Sequence, residues 1–239
     1  CGTWSLLGIE TKEPFINENT LALNYTNEGG YGEKVNFFKN IIGLWLMQEC
    51  RRQWEREGEK FAFSDIDRLT ARAEPLQAFI DPDSTIFIAP GDMPARIAAF
   101  CAKTRQKPPQ GKGEFSRCIT DSLALKYRQT FEELELLYGK KIDMLHVIGG
   151  GVKDQLLCQC TANAIHRPVA AGPVEATAIG DIMVQLIACG EISGREQARE
   201  LIARSFPVKI YEPQDTALWD CVYKDYLHVL ELESNNNSK

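Results

Sequence analysis

Met144-Leu145-His146-Val147-Ile148 is a short, partly β-branched apolar run that ends in Gly149-Gly150-Gly151 and leads into helix-forming sequence. Glycines at a strand-to-helix turn let the backbone lie flat against a ligand, because no Cβ holds it off. A helix start adds unpaired N–H groups and a positive dipole end, which suit a nucleotide phosphate or a base edge. The spacing is neither G-x-G-x-x-G nor a Walker loop, which argues against a Rossmann or P-loop site. By itself the turn is equally compatible with a plain βα connection.

Other reactive residue types are scattered. The eight cysteines include no C-x-x-C pair, and His146, His166 and His228 show no metal-ligand spacing, so no metal site is expected. Buried thiols in a reducing cytoplasm are the expected state. Cys101 and Cys118 flank a polar loop, and whether they are bonded stays open. The acidic pairs Asp65/Asp67 and Glu132/Glu133 read as solvated helix faces, and Asp81 and Asp83 flank Pro82 in a turn. No Ser-His-Asp arrangement has support.

The elements that must position the glycine turn follow from periodicity. Residues 3–9, 20–26 and 34–41 read as three successive strands, and their close spacing suggests an antiparallel meander. Residues 43–57, 64–74 and 94–104 read as helices, with a short run at 85–88 between the last two. The clearest helix carries Ile119, Leu123, Tyr127, Phe131, Leu134 and Tyr138, with Gly139 as its stop. After the glycine turn come a helix at 155–165, a strand at 168–171 and a helix at 175–189 ended by Gly190. Ser193 and Glu196 suggest a capping box for a further helix ending near Pro207. A last amphipathic helix uses Leu218, Val222, Tyr226 and Val229, and residues 234–239 read as a disordered tail. This order gives a mixed sheet with flanking helices and right-handed crossovers, in the strand order of a ribonuclease-H-like domain.

Length and charge bound the function. A chain of 239 residues can bury one sizeable core. Its net charge of −6 argues against a general nucleic-acid or anionic-membrane surface, while leaving room for a nucleotide in a local pocket. No apolar run approaches the roughly 20 residues of a membrane span. The sequence opens on Cys1 and goes straight into strand-like residues, so a piece of a longer protein is expected.

Several blocks carry a resemblance. Gly2-Thr3-Trp4-Ser5-Leu6-Leu7-Gly8, Thr26-Asn27-Glu28-Gly29-Gly30, and Lys39-Asn40-Ile41 followed by Gly43-Leu44-Trp45-Leu46 resemble the C-terminal domain of the FGGY carbohydrate kinases. The similarity runs on through Arg117-Cys118, Asp121-Ser122-Leu123-Ala124, the glycine turn and Ala171-Gly172-Pro173-Val174-Glu175-Ala176. Each block is weak alone; their joint order and spacing are specific. The resemblance covers residues 1–190, with 191–233 expected as helices packed on the same domain. It implies an actin-like ATPase fold in which two domains close over MgATP and a ketose, this chain being the second domain.

The family roles map residue by residue. Thr3 resembles the threonine that reaches the terminal phosphates, Gln48 a nucleotide contact, Gly150 the glycine against adenosine, and Asn40 a sugar contact. Each also has a plain structural reading: strand pairing for Thr3, a helix surface for Gln48, a turn cap for Asn40. Asp154 and Asp181 stand where family members often carry asparagine, and Asp154 would serve the helix start instead. The general-base aspartate belongs to the upstream domain, so no catalytic base is assigned here. The expected activity is transfer of the ATP γ-phosphate to a ketose in the cytoplasm, with L-rhamnulose first, L-fuculose as rival, and a noncatalytic nucleotide-binding module as the other alternative. The expected partners are ATP with Mg2+, the sugar, and the N-terminal domain of the same polypeptide.

Overall fold

Strand β1, Trp4–Thr11, begins by alternating exposed Trp4 and Leu6 with buried Ser5 and Leu7, the period-two signature of a sheet with one covered face. It runs antiparallel to β3, Val35–Ile42, in a register from Trp4↔Ile42 to Thr11↔Val35. The short β2, Thr26–Gly29, pairs with the other edge of β3. The order is therefore β1-β3-β2, with β3 in the middle, and not the successive meander expected. The computed structural model describes residues 1–237.

Residues 20–26 were expected to be a strand, and most of them are not. They follow or end helix α1, Glu18–Ala22, and the strand begins only at Thr26. The cause is local. Asn17 Oδ1 accepts from Thr20 N at 2.9 Å while Thr20 Oγ1 accepts from Asn17 N at 3.0 Å, a reciprocal cap that outcompetes extended pairing.

Helix α2 is Trp45–Arg56, α3 is Phe63–Arg72 and α4 is Met93–Lys103. The run at 85–88 is a 3-10 turn, Thr85–Phe87, that buries Phe87 beneath α4. Helix α5, Lys112–Tyr138, is 27 residues long, roughly 40 Å at the α-helical rise. Its Ile119, Leu123, Tyr127 and Leu134 stripe enters one core with Phe37 and Ile41 of β3, Leu46 and Cys50 of α2, and Ile97 and Phe100 of α4. Complete burial of each large member contributes on the order of 1.5–3 kcal/mol. Gly139 ends the helix in the left-handed region.

The second sheet is mixed. Strand β4, Leu145–Val147, runs parallel to β5, Val169–Ala171, and β5 pairs antiparallel with β6, Lys209–Tyr211. Cys1 joins the two sheets: its N donates to Ile148 O at 2.8 Å and its O accepts from Gly151 N at 2.9 Å. Helix α6, Gln155–Ile165, packs on α5, and α7, Ala176–Ala188, follows β5.

Helix α8, Arg195–Ser205, lacks the expected Ser193/Glu196 capping box. Gly194 is its N-cap without a side-chain bond, and Gln197 Oε1 accepts from Ser193 N at 2.7 Å instead. Helix α9 spans Thr216–Asn237, so residues 234–237 are helical where a disordered tail was expected. Glu233, buried against Ser84, and Asn236, which donates to Lys103 O at 3.3 Å, tie that last turn down. The remainder of the expected tail, 238–239, lies outside the described residues. Helix α9 lays Trp219, Tyr223 and Tyr226 against Phe79, Leu125 and Cys160 in a second core.

Candidate functional site

The three glycines of the β4–α6 turn differ in why they are glycine. Gly149 has φ +85°, a left-handed conformation that a side chain resists. A Cβ on Gly151 would stand 2.4 Å from Cys1 Sγ, so the chain crossing there excludes one. At Gly150 neither constraint applies, and a Cβ would meet nothing within 4 Å. That open space belongs to a cavity of about 320 Å3, which Gly150 lines. The fold therefore accounts for the outer two glycines, while nothing in it requires the middle one.

The walls of the cavity come from four helices. Leu44, at the start of α2, stands with Met47 and Gln48 on one side, and Phe63 and Ile66 of α3 on another. Leu156 of α6 and Thr120 of α5 complete it. Apolar walls with a few polar groups are the usual lining of a small-molecule site. The turn is not followed directly by an α-helix. A 3-10 segment, Gly150–Lys153, intervenes, and Asp154 then caps α6 by accepting from Leu157 N at 2.9 Å.

Thr3 and Gln48 meet at the mouth of this cavity. Gln48 Nε2 donates to Thr3 Oγ1 at 3.2 Å, and the hydroxyl also lies 3.3 Å from Gln48 Oε1. Both side chains keep contact with solvent. The start of β1, which Thr3 immediately precedes, is fixed by Ser5, whose Oγ lies 2.6 Å from the buried Tyr127 hydroxyl on α5. Burial pushes the Tyr127 phenol well up, so it remains a neutral hydrogen-bonding group.

Two carboxylates border the cavity. Burial raises the pKa of Asp154, and the neighbouring charge of Asp67 raises it further, against the lowering effect of its backbone hydrogen bonds. Burial raises Asp67 as well. Asp67, read from the sequence as part of a solvated helix face, is exposed on α3 and also lines the cavity. Its partner Asp65 has a local role, accepting from Ala62 N at 3.1 Å and pairing with Arg68 at 3.0 Å. Asp81 and Asp83 both pair with Lys126, at 3.0 and 3.1 Å, and Asp83 also accepts from Ile42 N. They hold the core together.

Three of the four residues singled out in the sequence thus come together: Gln48 and Gly150 line one cavity and Thr3 bonds to Gln48. Asn40 stands apart. It is exposed in the middle of β3, opposite Leu6 in register, and does not line the cavity. The residues that sequence reasoning missed are the cavity walls, Leu44, Met47, Phe63, Ile66 and Thr120. Among the described residues no group of three or more His, Cys, Asp or Glu is placed to hold a metal ion, and no helix is long and apolar enough to cross a membrane. Cys101 and Cys118 are free and buried, with their thiols in hydrogen-bonding contact.

An α/β domain of actin-like fold, with a cavity of about 320 Å3 at its glycine turn, is what the fold and site define. The chain belongs to the FGGY family of carbohydrate kinases: residues 1–189 match the model of that family's C-terminal domain. It is 46% identical over 222 residues to a rhamnulokinase of Bacteroides thetaiotaomicron, covering 93% of this chain and 45% of that protein. A rhamnulokinase of Bacillus subtilis is 40% identical over 214 residues, covering 90% of this chain and 44% of that protein. The chain spans a little under half the length of these relatives. Among solved structures, xylulose kinase from Rhodospirillum rubrum superposes with a TM-score of 0.70 at 13% identity, covering all of this chain and 47% of that one. Plasmodium falciparum glycerol kinase with ADP gives a TM-score of 0.64 at 12% identity, covering 99% of this chain and 46% of that one. At such identities these likenesses establish the fold alone.

Proposed function

We propose that this domain forms the nucleotide-side wall of the active cleft in an ATP-dependent ketose kinase, and that the ketose is L-rhamnulose, converted to L-rhamnulose 1-phosphate. The observation that carries the nucleotide assignment is Gly150, a glycine that the fold does not require, facing an open cavity with Gln48 and its partner Thr3 at the mouth. The sugar assignment rests on the relatives named rhamnulokinase. Residues 1–190 form the domain core and 191–233 pack on it as part of the same unit, the N-terminal domain of the same polypeptide supplies the opposite wall, and the enzyme works in the cytoplasm, where its thiols stay reduced.

In this reading the apolar walls take the adenine and Gly150 lies under the adenosine. The Thr3 hydroxyl turns to the terminal phosphates, where charge spreads over the phosphoryl oxygens in a loose transition state. Mg2+, bound with ATP, would neutralise part of the triphosphate charge. This chain offers that ion no ligand cluster among its described residues, so none of them is assigned to it. The proton of the attacking hydroxyl passes to an aspartate of the upstream domain. Asn40, on the exposed part of β3, meets the sugar.

The test is purified full-length protein assayed with ATP against a panel of ketoses. Turnover with L-rhamnulose and not L-fuculose supports the proposal. The reverse preference overturns the sugar assignment, and ATP binding without turnover of any sugar overturns the kinase reading in favour of a noncatalytic nucleotide-binding module.

A further inference from the structure

A second cavity, of about 340 Å3, opens where α3 ends and α5 begins, and the kinase reading leaves it without a role. Three cationic side chains line it: Arg72 in the last turn of α3, Lys107 in the loop before α5, and Arg117 in the second turn of α5. Glu74, Gln77 and Glu114 stand among them.

The cations differ in how they are held. Arg117 is nearly buried, and its Nε donates to Asp121 Oδ1 at 2.8 Å. Asp121 is itself anchored, its other oxygen accepting from Leu76 N at 2.7 Å. The guanidinium plane is therefore fixed, and among the described residues its terminal nitrogens have only a contact with Cys160 Sγ at 4.0 Å. Such a preset fork matches phosphate or carboxylate geometry at little further entropic cost. Arg72 and Lys107 are exposed and make no ion pair among the described residues, so their charges are available to the same space.

A bare anion would not use the acidic side chains. Glu114 spends one oxygen on Gln110 N at 2.8 Å and Gln77 donates to Pro75 O at 3.0 Å, which leaves acceptor oxygens on both and on Glu74. Acceptors interleaved with cations read a ligand that has hydroxyl donors as well as negative charge. Ala78, Pro108 and Pro109 give the cavity small apolar patches but no aromatic ring on which a base would stack.

We propose that this cavity is a binding site for a phosphorylated polyol, its phosphate held by Arg117, Arg72 and Lys107 and its hydroxyls by Glu74, Glu114 and Gln77. The site does not depend on the phosphoryl-transfer reading. It does share walls with the first cavity, since α3 and α5 line both.

D-fructose 1-phosphate, D-fructose and inorganic phosphate are titrated separately into the chain by isothermal calorimetry. D-fructose 1-phosphate is expected to bind more tightly than either of the others. The double substitution Arg72→Ala/Lys107→Ala should weaken it by about tenfold or more, because two charge-assisted contacts go. Gly150→Val, in the other cavity, should leave it unchanged. Both substituted side chains are exposed; should the double variant lose its circular dichroism, Lys107→Gln alone carries the comparison. The proposal is overturned by undetectable binding at millimolar ligand, by equal binding to the cation-depleted variant, by loss of binding in a folded Gly150→Val chain, or by D-fructose or inorganic phosphate binding as well as D-fructose 1-phosphate.

Discussion

Gln48 donates a hydrogen bond to the hydroxyl of Thr3 at 3.2 Å, across 45 residues of sequence, and so joins the first turn of α2 to the tip of β1. Gln48 lines the cavity and Thr3 is its hydrogen-bond partner. Thr3→Val and Gln48→Leu, tested singly and together in the full-length kinase, should lower kcat/KM for ATP non-additively. The coupling should be on the order of 0.5–1.5 kcal/mol, the net worth of a neutral hydrogen bond. Strict additivity would mean that the pair has no joint role in holding the nucleotide.

Gly150→Val is the sharper test of the cavity. A Cβ at this position meets nothing within 4 Å, so the variant should fold with an unchanged melting temperature. Its branched side chain would project into the space assigned to adenosine. In the full-length kinase, KM for ATP should rise much more than KM for the sugar. An unaltered ATP KM in the folded variant removes Gly150 from the nucleotide site. Gly151→Val should behave differently and destabilise the chain, because its Cβ would collide with Cys1.

Asp154 gives a pH dependence with a definite sign. Burial and the charge of Asp67 raise its native pKa above that of the unfolded chain. Between those two pKa values the native state binds more protons than the unfolded state, so stability falls as pH rises through that window. Below about pH 4, the ordinary carboxylate value, both states are protonated and the effect vanishes. Asparagine can keep the cap on Leu157 N without a desolvated charge. Urea unfolding of Asp154→Asn should therefore show a more stable chain at neutral pH and little difference at about pH 3.5. A variant less stable at neutral pH would mean that the ionised carboxylate is favoured at the start of α6.

What was legible in the sequence follows from how local each signal is. The α5 stripe and the Gly139 stop are local patterns of one long helix, and both are present as read. The strand–glycine–helix turn was equally local, although its 3-10 segment was not foreseen. Residues 20–26 misled because a strand-like composition there competes with the Asn17–Thr20 cap, whose Asn17 half lies outside the window. β6 is three residues at a sheet edge, too short to show alternation. The cavity walls were illegible for another reason. Met47, Ile66 and Thr120 look like ordinary helix residues, and only the packing of α2, α3 and α5 brings them round one space.

Asn40→Ala tests the proposed division between a sugar side and a nucleotide side. It lies away from the cavity, exposed on β3 opposite Leu6. Asn40→Ala should cost the sugar about 1–3 kcal/mol in kcat/KM if a buried hydrogen bond is lost in the closed cleft. ATP parameters should stay constant. A change confined to ATP would assign the residue to the wrong ligand.

The last expectation concerns the chain by itself. Phosphoryl transfer requires a base, a metal-bound triphosphate and an aligned hydroxyl held together in one water-excluded cleft. Here Gly150 and Gln48 line the cavity proposed for the nucleotide, Thr3 bonds to Gln48, and no residue of this chain is assigned as the base. Most of the rate in such a reaction comes from alignment and electrostatic preorganisation, which one wall cannot supply. The 239-residue chain should therefore fold, bind ATP weakly or undetectably, and phosphorylate no ketose. Joining it to the upstream domain in one polypeptide should restore turnover with L-rhamnulose, and exchanging the upstream aspartate base for asparagine should abolish it again. The measurement is coupled ADP release on highly purified chain, with host kinases excluded by a mock preparation. Sustained, sugar-dependent ADP release from this chain alone would show that a complete active site lies within it.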